Sequence, residues 1–384
     1  MSRRRKPIKV KEKMSKIVFI ASSLSYGGAE KMLCFVANGF AENQEHVSVI
    51  NLMERSDDVG RLRKDVEVTD IKTTRIRFLN RIEQIVKLTA SIRKIKPDII
   101  ISFKFRPNFL ASIVGKALGI PVIISERSDP SRECVLKGRE KLYWDVINAA
   151  DGGVFQTTGA MKMYSVKMQK RGTVIPNPAL ISESIMHTVK ENTDSGSVVS
   201  VGRLANIQKR YDIMLAAFLQ FHRKNHHYVL KIYGNGEDEE QIRTWITENH
   251  LEENVFLMGR TNDPLQAMDS ADIFLTTSDY EGISNSLLEA MAIGMPVVAT
   301  DCSPGGARML IRNGENGLLV PCGDAEMTAD ALDRMAGDYQ LRQRCGEQAR
   351  KVKEEYSKER IMDLWTSYVC HVIQAYKQGH SLKR

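Results

Sequence analysis

Thirteen short runs of β-branched and apolar residues, spaced by stretches long enough for a helix, constrain this 384-residue chain more than any other feature. The first seven are Ile17–Ala21, His46–Leu52, Val66–Ile71, Asp98–Phe103, Pro121–Ser125, Gly153–Gln156 and Thr173–Ile175. Between them lie helical patterns such as Ala29–Ala41, Asn80–Ile95, Asn108–Leu118 and Gly159–Lys170. Parallel neighbours need a crossover, so strand and helix in alternation predict a parallel sheet covered on both faces. After Pro176-Asn-Pro178 the pattern pauses in a polar stretch that ends near Gly196. It then restarts with Ser197–Val201, Tyr228–Tyr233, Asn254–Leu257, Asp272–Thr276, Pro296–Thr300 and Gly317–Val320. Two Rossmann-like α/β halves joined near residue 178 follow, which suits a length too great for one ordinary domain. A long helical pattern from Ser357 to Lys377, with Trp365 and Tyr368, closes the chain.

Composition supports a globular enzyme, with 42% hydrophobic and 27% charged residues. No segment approaches the ~18 to 20 apolar residues of a membrane-spanning helix. Arg3-Arg-Arg-Lys6 ahead of Ile17–Ala21 imitates a signal peptide. The apolar run is short, however, and leads into Tyr26-Gly-Gly-Ala-Glu30 with no small-residue cleavage site. Export is not expected. The six cysteines lie far apart without a Cys-x-x-Cys pair, as core thiols in a reducing compartment would.

Charge is unevenly placed. Residues 1–178 hold 33 of the 55 Lys and Arg but only 18 of the 47 Asp and Glu, a net of +15 against −7 for the remainder. Residues 1–16 carry eight basic residues and one acid, and residues 72–106 carry ten and two. Such asymmetry predicts an anionic partner for the first half, with a solvated face as the plain alternative. A nucleic acid is not expected, because no recognition motif or aromatic–basic interleaving occurs.

Ligands in parallel sheets sit at the carboxyl ends of strands, so the strand-to-helix junctions carry the chemistry. Gly27-Gly28 follows the first strand and would let backbone approach a ligand ahead of a helix start. A tight turn needing positive φ would explain the same glycines. The fingerprint Gly-x-Gly-x-x-Gly is absent here and at Gly234-Asn-Gly236, which disfavours a nicotinamide or flavin enzyme. After the first strand of the second half, Gly202-Arg203 and Lys209 place two cations where a departing diphosphate needs them. Glu281-Gly282-Ile283-Ser284-Asn285 leads into a helix opening at Ser286. Its first amides suit phosphate oxygens, Glu281 suits sugar hydroxyls, and Glu289 suits a ribose. Against this, Ser286-x-x-Glu289 is also a capping-box spacing, and Gly294-Met-Pro296 a helix stop.

At these residues the chain resembles a retaining glycosyltransferase of family 4, with the GT-B fold. Glu281-x7-Glu289 followed by Ala-Met-Ala-x-Gly-x-Pro-Val-Val-Ala299 matches the family's most diagnostic block, and Arg203 with Lys209 its diphosphate pair. Asp301-Cys-Ser-Pro-Gly-Gly-Ala-Arg308 resembles the subgroup that builds bacterial cell-surface polysaccharides and lipid-linked oligosaccharides, usually from UDP-sugars. The resemblance implies a basic tail (1–14), an acceptor domain (15–178) to which a C-terminal helix (357–384) returns, and a nucleotide-sugar domain (179–356). It implies transfer of a hexose or N-acetylhexosamine in the cleft between them. It assigns catalysis to Arg203, Lys209 and Glu281. Donor binding goes to Gly27, Gly28, Gly202, Gly234, Gly259, Arg260, Gly282, Ile283, Ser284, Asn285, Ser286 and Glu289. Many members place a His after the fifth strand, where this chain reads Ser125-Glu-Arg-Ser-Asp-Pro130. Glu126 and Arg127 are expected to contact sugar or acceptor there, or to pair with each other.

The absence of any Asp-x-Asp predicts a metal-free reaction with no cofactor beyond the nucleotide sugar. The expected partners are that donor, a glycan or polyprenyl-diphosphate-linked acceptor and an anionic membrane surface. The expected location is cytoplasmic, at the inner face of the cell membrane. A sugar-nucleotide epimerase or hydrolase on the same frame is the alternative.

Overall fold

Each predicted strand is present, displaced at its ends by no more than two residues. A computed structural model describes residues 14–24, 27–53, 62–72, 77–132, 138–181, 185–191 and 195–381, without the side chains of 77–81, 380 and 381. The basic run 1–13 and part of the basic block 72–106 therefore lie outside the described residues. So does Cys134; of the other cysteines Cys34, Cys302 and Cys345 are buried, whereas Cys322 and Cys370 are exposed.

The first sheet contains β1 (Lys16–Ala21), β2 (His46–Asn51), β3 (Glu67–Asp70), β4 (Ile99–Phe103), β5 (Val122–Glu126), β6 (Gly152–Phe155) and β7 (Gly172–Val174). Its order is β3-β2-β1-β4-β5-β6-β7, with β1 parallel to both β2 and β4. The second contains β8 (Gly196–Val201), β9 (Tyr228–Tyr233), β10 (Val255–Gly259), β11 (Ile273–Thr276), β12 (Val297–Thr300) and β13 (Leu318–Val320). Its order is β10-β9-β8-β11-β12-β13, again parallel. Two Rossmann-like parallel sheets are thus the architecture.

The strands read as continuous apolar runs because both faces are covered. In the second sheet Val198, Ile273, Leu275 and Val298 face a core shared with helices Tyr211–His222 and Ala325–Gly337. Their neighbours Val199, Phe274, Val297 and Ala299 face the opposite core, shared with helix Asn285–Ile293. That alternation is the period of two inherent to a strand.

One predicted helix is divided. Gly159–Lys170 is two pieces, Thr158–Lys162 and Val166–Arg171. Ser165 Oγ accepts from the Met168 amide at 3.2 Å and so starts a new helix inside the pattern. The chain forms two compact units, residues 1–124, 149–151 and 369–384 in one, and 125–148 with 152–368 in the other. Among the described residues no helix is long and apolar enough to cross a membrane.

Candidate functional site

Strand order in the second sheet reverses between β8 and β11, because the chain moves outward from β8 through β9 to β10 and then returns. Such a switch point leaves a crevice outside the carboxyl ends of the two central strands. Arg203 and Lys209 follow β8, and Glu281 follows β11. Three of the predicted glycines line the same edge. Gly202 N donates to Tyr233 O at 3.0 Å, and Gly234 N donates to Gly259 O at 2.8 Å. Gly234 has φ +148, and a Cβ there would strike the Gly202 carbonyl. Two loops cross here at a separation only glycine allows. Arg260, just beyond Gly259, is exposed.

The cation and the carboxylate assigned to separate tasks touch each other. Lys209 Nζ lies 2.6 Å from Glu281 Oε2, with side chains 13% and 22% exposed, so the pair still faces solvent. Gln208 Nε2 donates to the same oxygen at 3.1 Å. The short helix Asn206–Lys209 is anchored to the loop after β11. Asp279 N donates to Gln208 O at 2.9 Å, and Thr277 Oγ1 donates to the carbonyls of Lys209 and Arg210 at 2.9 and 3.1 Å. Arg210, at φ +51, reaches Asp212 and Asp279 at 2.8 and 2.9 Å, and hydrogen bonding to Asp212 raises its pKa further. On the other side, Glu281 N donates to Ser303 O at 2.8 Å. Burial and then the Glu281 charge push the Tyr211 phenol and the Cys302 thiol up. Arg203 is exposed, and its carbonyl accepts from Ala205 N at 2.8 Å and Tyr211 Oη at 3.3 Å.

The helix after this loop begins one step earlier than expected. Ser284 is the N-cap, its Oγ accepting from Leu287 N at 3.4 Å and lying 3.1 Å from Ser286 Oγ. The Ser286–Glu289 capping box is therefore not formed, since Ser286 is already helical. Glu289 stands buried a full turn inside the helix. Gly294 closes the helix at φ +94, as its position before Pro296 predicts. Ile283 is largely consumed by the fold. Its side chain is buried, its amide donates to Gln156 Oε1 at 3.1 Å, and its carbonyl accepts from Asn177 Nδ2 at 3.3 Å. Gly282 makes room for that arrangement, because a Cβ there would strike Gln156 Oε1.

Glu126 and Arg127 are built into a buried network. Glu126 accepts from Tyr164 Oη at 2.9 Å and from the amides of Arg127 and Ser128 at 2.8 and 3.2 Å. Arg127 donates to Ser125 Oγ at 2.8 Å and Asn177 Oδ1 at 3.2 Å, and its guanidinium lies 5.4 Å from the Trp365 ring centre. Burial pulls Arg127 down to about 9. A carboxylate buried as deeply as Glu126 positions its neighbours, Arg127 among them.

Gly27 and Gly28 lie in the other unit, at the β1 junction. Gly27 is the N-cap of helix Gly28–Glu42 with φ −166, so no left-handed turn explains it. A Cβ there would instead run into the carboxylate of Glu30. Glu30 is buried and paired with Lys104, which follows β4 at φ +73. Sequence reasoning missed Gln156, Asn177, Gln208, Thr277 and Asp279. Only Asn177 stood in a visible signal, the Pro-Asn-Pro pause.

Two family models match the chain. Residues 17–129 match the "Glycosyl transferase 4-like" model, and residues 182–352 match "Glycosyl transferases group 1". A Campylobacter jejuni enzyme is 25% identical over 373 residues, 94% of this chain and 100% of that protein. It is named GalNAc-alpha-(1->4)-GalNAc-alpha-(1->3)-diNAcBac-PP-undecaprenol alpha-1,4-N-acetyl-D-galactosaminyltransferase. A Bacillus subtilis poly(glycerol-phosphate) alpha-glucosyltransferase is 28% identical over 253 residues, 66% of this chain. The match spans only 37% of that relative's length. Among solved structures, Anabaena HepE in complex with UDP and glucose superposes with a TM-score of 0.79 at 19% identity, covering 93% of this chain and 99% of that one.

Proposed function

We propose a reaction for this chain from one premise: it belongs to the family 4-like, group 1 glycosyl transferases of the GT-B fold. The reaction is transfer of a hexose or N-acetylhexosamine from a UDP-sugar to a hydroxyl of a glycan, with retention at the anomeric carbon. The observation that carries it is the Lys209–Glu281 pair across the β8/β11 switch point, 2.6 Å apart and open to solvent. A sugar diphosphate needs a cation on its bridging phosphate and an acceptor for sugar hydroxyls within a few ångströms of each other. This pair supplies both. Arg203 and the first amides of helix Asn285–Ile293 add charge stabilisation, Glu289 holds the ribose, and Gly202, Gly234 and Gly259 let the backbone approach the nucleotide.

As the bond from the anomeric carbon to the phosphate oxygen breaks, its electron pair leaves with the UDP. The acceptor hydroxyl forms the new bond on the same face and passes its proton to the departing phosphate. Preorganised charge supplies most of the rate, and no metal is required. The Campylobacter relative, named for a diphosphoundecaprenol-linked glycan, supports a lipid-linked acceptor and a role in surface-polysaccharide synthesis. Ile82 and Val86 project from helix Arg77–Ile95 beside exposed Arg93, Lys94 and Lys96, a surface suited to an anionic leaflet.

The test is incubation with UDP-sugars and diphosphoundecaprenol-linked glycans, with the product linkage read by NMR. An α-linked product from an α-linked donor, formed undiminished in EDTA, is expected. UDP release without a glycosylated product would favour a hydrolase, and loss of activity in EDTA with recovery in Mg²⁺ would end the metal-free assignment.

A further inference from the structure

The Pro176-Asn177-Pro178 segment does more than join two halves of the sequence. Proline at both flanks limits the backbone on either side of Asn177, and its side chain is only 2% exposed. A carboxamide has two donor hydrogens and two acceptor lone pairs, and Asn177 uses all four. Its Oδ1 accepts from Gln156 Nε2 at 2.7 Å and from Arg127 Nη1 at 3.2 Å. Its Nδ2 donates to Asn285 Oδ1 at 2.6 Å and to Ile283 O at 3.3 Å. Gln156 closes the ring by accepting from Ile283 N at 3.1 Å. Both backbone groups of Ile283 and the side chain of Asn285 are thereby held by residues more than 100 positions away in sequence. Between these two residues lies Ser284, the N-cap of the helix assigned to the diphosphate.

We propose that Asn177 is a positioning residue of the glycosyl transfer. With Gln156 it fixes the Ile283–Asn285 turn, so that the first helical amides and Glu281 meet the sugar diphosphate in one geometry. This rests on the reading of residues 281–289 as the donor loop. A saturated, buried polar network specifies a unique arrangement more than it adds stability. Apolar side chains of similar volume would fill the same space but leave the turn free to shift. Arg127, at the back of Asn177, completes the acceptor side and explains why an arginine is buried against Trp365.

The test compares Asn177→Asp and Asn177→Ala with the wild-type chain, by UDP binding, by kinetics with saturating and limiting UDP-sugar, and by melting temperature. Asp has the shape of Asn but turns acceptors toward Ile283 O and Asn285 Oδ1, while Arg127 beside it balances the new charge and lets the variant fold. A displacement near 1 Å costs about 100-fold in rate. Asn177→Asp is therefore expected to lower kcat/KM for the UDP-sugar about 10- to 100-fold. It should weaken UDP binding, leave KM for the acceptor unchanged and move the ligand-free melting temperature little. A purely structural role would lower the melting temperature and leave the kinetics per folded molecule as in the wild type. That result in both variants would overturn the proposal. If UDP failed to bind or stabilise even the wild-type chain, the donor-loop reading would fall first, and the proposal with it.

Discussion

Each sheet reverses its strand order once, and a lysine–glutamate pair spans each reversal. In the first sheet Glu30, in the helix after β1, meets Lys104 after β4; in the second, Lys209 after β8 meets Glu281 after β11. The surroundings differ. Glu30 is only 8% exposed while Lys104 is 39% exposed, so the carboxylate belongs to the interior and the amine to the surface. Lys209 and Glu281 are exposed to similar, intermediate degrees. Gln208, Thr277, Asp279 and Arg210 brace that second pair, whereas Lys104 stands at φ +73 directly after its strand. Topology places opposite charges at both crevices. Bracing and balanced exposure mark the one we assign to the diphosphate.

The strongest way to break this comparison is to remove each lysine. Lys209→Ala is expected to reduce turnover of a UDP-sugar by about 100- to 1,000-fold, the usual cost of one electrostatic stabiliser. Lys104→Ala should change turnover by less than about 10-fold, yet lower stability by about 1–3 kcal/mol because Glu30 loses its partner. Steady-state kinetics and urea denaturation of the two variants decide, and a reversed order would assign the diphosphate to the wrong crevice.

Glycine substitutions sharpen the contrast at smaller cost. Gly234→Ala places a methyl against the Gly202 carbonyl at an unfavourable φ, and should destabilise by about 2–4 kcal/mol. Gly27→Ala meets only the tip of the Glu30 side chain, which can give way, so a loss of about 1 kcal/mol is expected. Equal losses in chemical denaturation would show that both crevices are equally rigid.

Acidification should act on the second unit through His187. Burial lowers its pKa, the carboxylate of Asp269 at 3.3 Å opposing. Unfolding then takes up a proton below the ordinary histidine range, so this contribution is complete above about pH 6.5 and is lost as pH falls toward the lowered value. Inside that window the slope is at most about 1.4 kcal/mol per pH unit. Urea titrations of wild type and His187→Gln should converge as pH falls below 6.5; parallel curves would exclude the linkage. The smallest effect belongs to Arg210→Gly, where relief at φ +51 offsets the lost bridges and stability should move by less than about 1 kcal/mol.

Much of this was legible in the chain. The strands announced themselves as apolar runs because both sheet faces are covered, and Gly294 before Pro296 marked its helix stop. The break at Ser165 was hidden, since the helical period continues through it and only a local side-chain bond starts the second piece. The N-cap at Ser284 was likewise displaced, because Ser284 and Ser286 are equally good caps by residue type and only the bond from Leu287 N to Ser284 Oγ distinguishes them.

By itself the sequence determined two parallel α/β halves and their strand-to-helix junctions, and it singled out Lys209 and Glu281 as candidates for the chemistry. These depend on periodicity and on neighbours a few positions apart. Tertiary structure alone decided that Lys209 lies against Glu281 across 72 positions. It also decided that Asn177 grips Asn285 across 108, and that Glu126 and Arg127 turn inward. Such partners follow from strand order and side-chain reach, which no local pattern encodes.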